Sequence, residues 1–85
     1  MNKLIAFSNP TRLKLISCLG NGEKNVTELI GNCSLSQSAV SQHLMKLRAE
    51  GIVKVRREGR SQLYSLIDPK MSDISKDIIK LLRIK

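Results

Sequence analysis

Residues 35–53 read LSQSAVSQHLMKLRAEGIV, Leu35 to Val53, and the reading of this stretch decides the fold. Val40, Leu44 and Leu47 recur at the spacing of one helical stripe, which predicts a helix from Ser36 to Glu50 with that stripe against a core. The other stripe carries Gln37, Ser38, Ser41 and Gln42. These are uncharged hydrogen-bonding side chains at positions where a merely solvated helix carries Lys and Glu. Ser36 suits the N-cap, because its hydroxyl can accept from an orphan N–H of the first turn.

Working upstream, Val26, Leu29, Ile30 and Cys33 fall at i, i+3, i+4 and i+7, which predicts a short helix over Val26 to Asn32. Between Cys33 and Gln37 there is room only for a tight turn. Two helices so joined form a helix-turn-helix unit, whose second helix enters the DNA major groove. Before it, Ser8-Asn9-Pro10 supplies a cap and a first-turn proline for a helix from Pro10 to Leu19, burying Leu13, Ile16 and Leu19. Gly20-Asn21-Gly22 is expected to end that helix in the left-handed conformation. A short apolar piece from Asn2 to Phe7, containing Leu4 and Ile5, reads as a first helix.

Downstream the period changes from helix to strand. Ile52 to Arg57 and Ser61 to Ile67 are rich in branched and apolar residues around the turn Glu58-Gly59-Arg60, which predicts a β-hairpin, the wing. Asp68-Pro69 breaks the second strand. A last helix from Lys70 to Arg83 sets Met71, Ile74, Ile78, Leu81 and Leu82 along one side. No repeat, linker or low-complexity segment interrupts residues 1–85. The sequence therefore predicts a single, mainly α domain with one small hairpin, a winged helix-turn-helix in the order α-α-α-α-β-β-α.

Composition bounds the function. The 85 residues carry 15 Lys plus Arg against 7 Asp plus Glu, a formal charge of +8, so a polyanionic partner is expected, nucleic acid ahead of a membrane surface. One Phe, one Tyr and no Trp argue against a single-strand binder, which needs aromatic platforms for bases. With no spanning apolar run or signal peptide, a cytoplasmic location is expected and a membrane partner is not. So small a chain often gains core from a second copy, so oligomerisation is expected. Two cysteines, Cys18 and Cys33, are too few for a disulfide framework, and on apolar faces in a reducing compartment both are expected to be buried, inert thiols.

The polar stripe then acquires a chemistry. Glutamine can make a paired contact to adenine and serine can serve several bases, so Gln37, Ser38, Ser41 and Gln42 are candidate readers of major-groove edges. Arg56, Arg57 and Arg60 at the hairpin tip, with Lys46 on the helix, are candidate contacts to phosphate or an adjacent minor groove. Arg48, Thr11 and Arg12 are weaker candidates for phosphate. A solvated polar face and a solvated charge run are the competing readings.

The motifs SNPTRLKLISCL at 8–19, LSQSAVSQHLMKLRAEGIV at 35–53 and REGRSQLYSL at 57–66, in register over nearly the whole chain, resemble the ArsR/SmtB family of bacterial winged-helix repressors. The resemblance implies a homodimer whose first and last helices pack across a two-fold axis, and repression by operator occupancy, released by a small inducer. It places the positions of Gln37, Ser38, Ser41 and Gln42 in the major groove and those of Gly59 and Arg60 at the backbone or minor groove. Leu4, Ile5, Ile74, Ile78, Leu81 and Leu82 become candidate dimer residues. This suits the apolar side of the last helix, which has little of its own domain left to cover.

The inducer is where the sequence departs from the family. Many members bind metal through cysteines at the start of the third helix, where this chain has Asn25 and Thr27. Others use Asp and His on the last helix, but residues 68–85 hold no His, and Asp68, Asp73 and Asp77 alone are poor ligands for a borderline metal. The single histidine, His43, is expected to be structural or to meet DNA. No metal and no cofactor is therefore expected. Relatives that sense oxidants use one cysteine in the second helix and one near the end of the last. Cys18 is displaced by one residue from the first position, the second is absent, and Cys33 sits elsewhere, so thiol sensing by Cys18 and Cys33 rests on the place of Cys18 alone. The alternative function is a winged-helix interaction module that binds protein, RNA or DNA without sequence readout. An enzyme is disfavoured, since no phosphate loop and no nucleophile with an evident base is present.

Overall fold

The computed structural model describes residues 7–33 and 35–82, and of residues 32 and 33 the backbone alone. Four helices and a two-stranded sheet follow in the order α1 (Pro10–Leu19), α2 (Val26–Cys33), α3 (Gln37–Ala49), β1 (Val53–Glu58), β2 (Ser61–Leu66) and α4 (Lys70–Leu82). The first helix expected at residues 2–7, with Leu4 and Ile5, lies outside the described residues save for Phe7, which forms a 3-10 turn with Ser8.

Each helix starts where a side chain replaces a missing backbone partner. Asn9, extended at φ −128° and ψ 126°, accepts through Oδ1 from the N–H of Thr11 at 2.8 Å and of Arg12 at 3.3 Å, and Pro10 occupies the first turn. At α2, Asn25 Oδ1 accepts from the Glu28 N–H at 2.8 Å while Glu28 Oε1 accepts from the Asn25 N–H at 3.1 Å, a reciprocal capping box. Ser36 Oγ accepts from the Ala39 N–H at 3.2 Å and sets the start of α3. Ser36 and Glu50 are thus caps of α3 rather than its first and last residues.

The core joins the inner faces of α1, α2 and α3 to the base of the wing. Leu15, Ile16, Leu19, Leu29, Val40, Leu44, Leu47, Ile52, Val53 and Leu66 form one buried cluster, on which Phe7, Val26, Ile30, Tyr64 and Met71 pack. The stripe Val40, Leu44 and Leu47 predicted for α3 is the one buried. Each such side chain contributes about 1.5–3 kcal/mol relative to an exposed one.

The hairpin pairs antiparallel from Val53↔Leu66 to Glu58↔Ser61. Its two-residue turn, Gly59-Arg60, needs glycine because residue 59 has φ 60°. Lys24, between the two helices predicted on either side of it, adds a one-residue rung to the outer edge of β2. It exchanges both backbone hydrogen bonds with Tyr64, at 3.0 and 2.9 Å.

Two expectations are corrected where α4 meets α1. Gly20 is right-handed, at φ −65° and ψ −19°, and the positive φ falls instead at Gly22. The reason for glycine at 20 is steric: a Cβ there would lie 1.8 Å from Ser72 Oγ. That close approach turns Ser72 and Ser75, both buried, toward α1. The apolar side predicted for α4 is therefore split. Met71 reaches the core and Ile78 is half-buried, whereas Ile74, Leu81 and Leu82 are 49%, 81% and 63% exposed. Among the described residues, no helix is long and apolar enough to cross a membrane.

Candidate nucleic-acid interface

With Val40, Leu44 and Leu47 turned inward, α3 presents Gln37, Ser38, Ser41 and Gln42 to solvent, all four exposed, in its first two turns. Lys46 and Arg48 follow in the last turn, also exposed. The polar quartet thus sits beside the positive end of the helix dipole, where hydrogen-bonding partners of negative potential are favoured.

Arg12 does not belong to this surface. Weighed above as a phosphate contact, it is only 8% exposed and points between α1 and α3. Its Nε donates to His43 Nδ1 at 3.2 Å, and its guanidinium lies 4.0 Å from Glu50 Oε1. His43 is half-buried and its pKa is lowered from the usual 6.5, first by burial, then by the positive charges of Arg12 and Lys46. Helical spacing carried the signal. Arg12 lies on the buried stripe of Ile16 and Leu19, and His43, Leu47 and Glu50 share one stripe of α3.

The three wing arginines fall into two groups. Arg56 donates from Nε to Glu23 Oε2 at 2.7 Å and from Nη2 to Glu23 Oε1 at 2.9 Å, and Nη2 also lies 2.9 Å from Glu58 Oε2. This bidentate fork holds the Glu23 carboxyl below its usual range and raises Arg56 further. Arg57 and Arg60 instead line an open groove of about 300 Å³ with Ser61 and Gln62 of the wing and Asn25, Val26 and Thr27 at the start of α2. Glu23 and Lys24, which anchor the wing to the α1–α2 loop, were not singled out in the sequence. An acidic residue preceding a basic strand by more than 30 positions carries no local signal of pairing.

The described residues contain no group of three or more His, Cys, Asp or Glu placed to hold a metal ion. Cys18, half-buried against the core, is disulfide-bonded, which corrects the expectation of an inert free thiol. The Cys33 side chain and the dimer candidates Leu4 and Ile5 lie outside the described residues.

Comparison with known proteins bears on this architecture directly. The family model described as bacterial regulatory protein, arsR family, matches residues 9–55. A probable mercury resistance operon repressor of Streptomyces lividans is 39% identical over 69 residues, 81% of this chain and 55% of that protein. This chain thus spans about half the length of that curated relative. An uncharacterised HTH-type transcriptional regulator of Methanocaldococcus jannaschii, MJ1325, is 38% identical over 77 residues, 89% of this chain and 86% of its own. Among solved structures, the transcriptional repressor BigR of Xylella fastidiosa superposes with a TM-score of 0.80 at 33% identity, over 92% of this chain and 80% of BigR. By the matched segment, the shared wing and the identity to these regulators, the chain belongs to the arsR family of bacterial regulatory proteins.

Proposed function

We propose that two copies of this chain form a cytoplasmic, sequence-specific repressor that occupies an operator in double-stranded DNA and leaves it when an inducer acts. The observation that carries this reading is the exposed quartet Gln37, Ser38, Ser41 and Gln42 on a helix whose other face is fixed in the core. Such a face is solvated, polar and rigidly held, as base readout requires.

In this reading Lys46, Arg57 and Arg60 neutralise phosphates on either side of the groove entered by α3. Arg56 could join them only by leaving two carboxylates, so its first task is to hold the wing against the α1–α2 loop. The partner copy covers Ile74, Ile78, Leu81 and Leu82, with Leu4 and Ile5 adding to the same interface. The thiol state of Cys18 and Cys33 is one candidate signal on this chain, motivated by the place of Cys18 in α1 and by its disulfide-bonded state; the inducer itself is unassigned.

The test begins with a duplex selected from a randomised pool by the protein itself. Anisotropy titrations against scrambled duplex should show strong preference for the selected sequence. Gln37→Ala with Ser41→Ala should lose about 1–3 kcal/mol per lost base contact on that sequence and little on the scramble. Equal weakening on both duplexes would leave a winged-helix module without sequence readout. Repeating the titration in reductant and after mild oxidation tests the thiols, since affinity that does not change removes them as the signal.

A further inference from the structure

The exposed face of α3 accounts for its chemistry but not for its placement, and the buried polar atoms beneath it address that. Three side chains, one from α1 and two from α3 and its C-cap, meet there. Arg12 of α1 is 8% exposed and Glu50 at the end of α3 is 7% exposed. His43, between them on α3, accepts at Nδ1 from Arg12 Nε at 3.2 Å. The guanidinium stands 4.0 Å from Glu50 Oε1, and Glu50 Oε2 is buried with no hydrogen-bond partner among the described residues. Burying a cation and a carboxylate is costly and adds little net stability, which directs attention to what the three groups do for the placement of α3.

We propose that Arg12 is the positioning residue of the recognition helix, gripping α3 at His43 and Glu50, and that protonation of His43 opens this grip and weakens DNA binding. The reasoning rests on the DNA-reading role of α3 given above. Nδ1 can accept from Arg12 only in the neutral imidazole that carries its proton on Nε2. Once protonated, the ring has no acceptor and faces the guanidinium as a second cation. The charged groups around the ring are Arg12 from α1 and Lys46 on α3, both repelling a proton, with Glu50 directed at Arg12. The ring follows Gln42 in sequence and lies one residue beyond the exposed quartet. A ring pushed away from Arg12 therefore rotates or tilts the segment that carries Ser41 and Gln42.

The sign of the effect separates this from simple electrostatics. An added positive charge on α3 should strengthen attraction to phosphate. Release of the clamp should weaken it.

The experiment is a titration of the selected duplex at pH values from about 8 to about 4.5, reaching well below the ordinary histidine value because burial and the charges of Arg12 and Lys46 lower that of His43, with the native chain and with His43→Gln. We expect the native affinity to fall by about tenfold on acidification, the scale of one lost charge-assisted hydrogen bond. His43→Gln, which cannot titrate, should stay flat. A native affinity that holds or rises on acidification overturns the proposal, as does an equal fall in His43→Gln. The DNA-free protein supplies a second readout, which decides the clamp even if no duplex is selected. Imidazole 15N correlations at neutral pH should show the proton on Nε2. Arg12→Lys, which keeps the charge but loses the Nε donor, should speed amide exchange in α3 more than in α2. A proton on Nδ1, or unchanged α3 protection in Arg12→Lys, also overturns it.

Discussion

The helices α3 and α4 are each 13 residues long and both amphipathic, yet they solve opposite problems. In α3 the branched apolar residues face inward and uncharged polar residues face out. In α4 two serines, Ser72 and Ser75, are the buried residues, while Ile74, Leu81 and Leu82 face solvent. The first arrangement completes a core and leaves a surface suited to reading hydrogen-bond patterns. The second gives up core on its inner side and presents apolar surface on its outer side. A row of exposed branched residues on one helix face is a surface awaiting a partner. The same domain thus carries one exposed polar face and one exposed apolar face, which the proposed function assigns to DNA and to a second copy.

The largest expected effect comes from breaking the outer face of α4. Ile74→Glu combined with Leu81→Glu should leave the monomer folded, because neither side chain is buried in it. Sedimentation should then report the 9.5 kDa chain in place of twice that mass. Operator affinity should fall by at least about a hundredfold as two linked half-site contacts become separate events. A double variant that remains a dimer would move the interface away from this face.

The inner side of α4 is tested at Gly20. Gly20→Ala places a Cβ 1.8 Å from Ser72 Oγ and 2.5 Å from Ser72 Cβ, a clash that rotation of the serine cannot relieve, so α4 must shift, at about 1–3 kcal/mol of stability. Ser72→Gly in the same chain should recover most of that loss in thermal or urea unfolding. No recovery would mean that the strain lies elsewhere.

The DNA side is sharpened by comparing wing arginines. Replacing Arg57 or Arg60 by Ala should weaken selected and scrambled duplex alike and reduce the slope of log affinity against log salt by about one each. Arg56→Ala should change that slope least, because its guanidinium is engaged by Glu23 and Glu58. Equal slopes for the three variants would erase the distinction between them.

What was legible in the sequence follows the range of the interaction. The stripe of α3, its Ser36 cap, the Asn9 and Pro10 start of α1 and the hairpin around Gly59 all depend on residues within a few positions of one another. Periodicity and turn chemistry announce these. The Arg12–His43 hydrogen bond joins residues 31 apart and the Arg56–Glu23 pair residues 33 apart; helical spacing puts Arg12 and His43 on inward stripes, but nothing local marks which residue either arginine pairs with. Gly20 shows a subtler limit. Its place at the helix end was legible, but the usual reason for glycine there, a left-handed turn, gave way to a tertiary one, the approach of Ser72. The split face of α4 has the same origin: apolar periodicity identified the helix, and the small residues facing α1 decided which side went inward.

The smallest effect belongs to the pair that ties the wing down, and pH gives its sign. Hydrogen bonding to Arg56 lowers the Glu23 pKa from its ordinary 4.5. The folded state therefore favours the ionised carboxylate, and the stabilisation is fully present above that ordinary value. It is lost as pH falls through the lower, folded value. Glu23→Gln should accordingly lower the melting temperature slightly at about pH 7, and the difference from the native chain should shrink as pH falls through the folded value of Glu23 and close below it, where both forms are neutral at this site. Both partners are exposed, so added salt should shrink the difference as well. A difference that persists in acid would mean that Glu23 acts through its backbone neighbour Lys24, whose rung with Tyr64 does not depend on charge, rather than through the carboxylate.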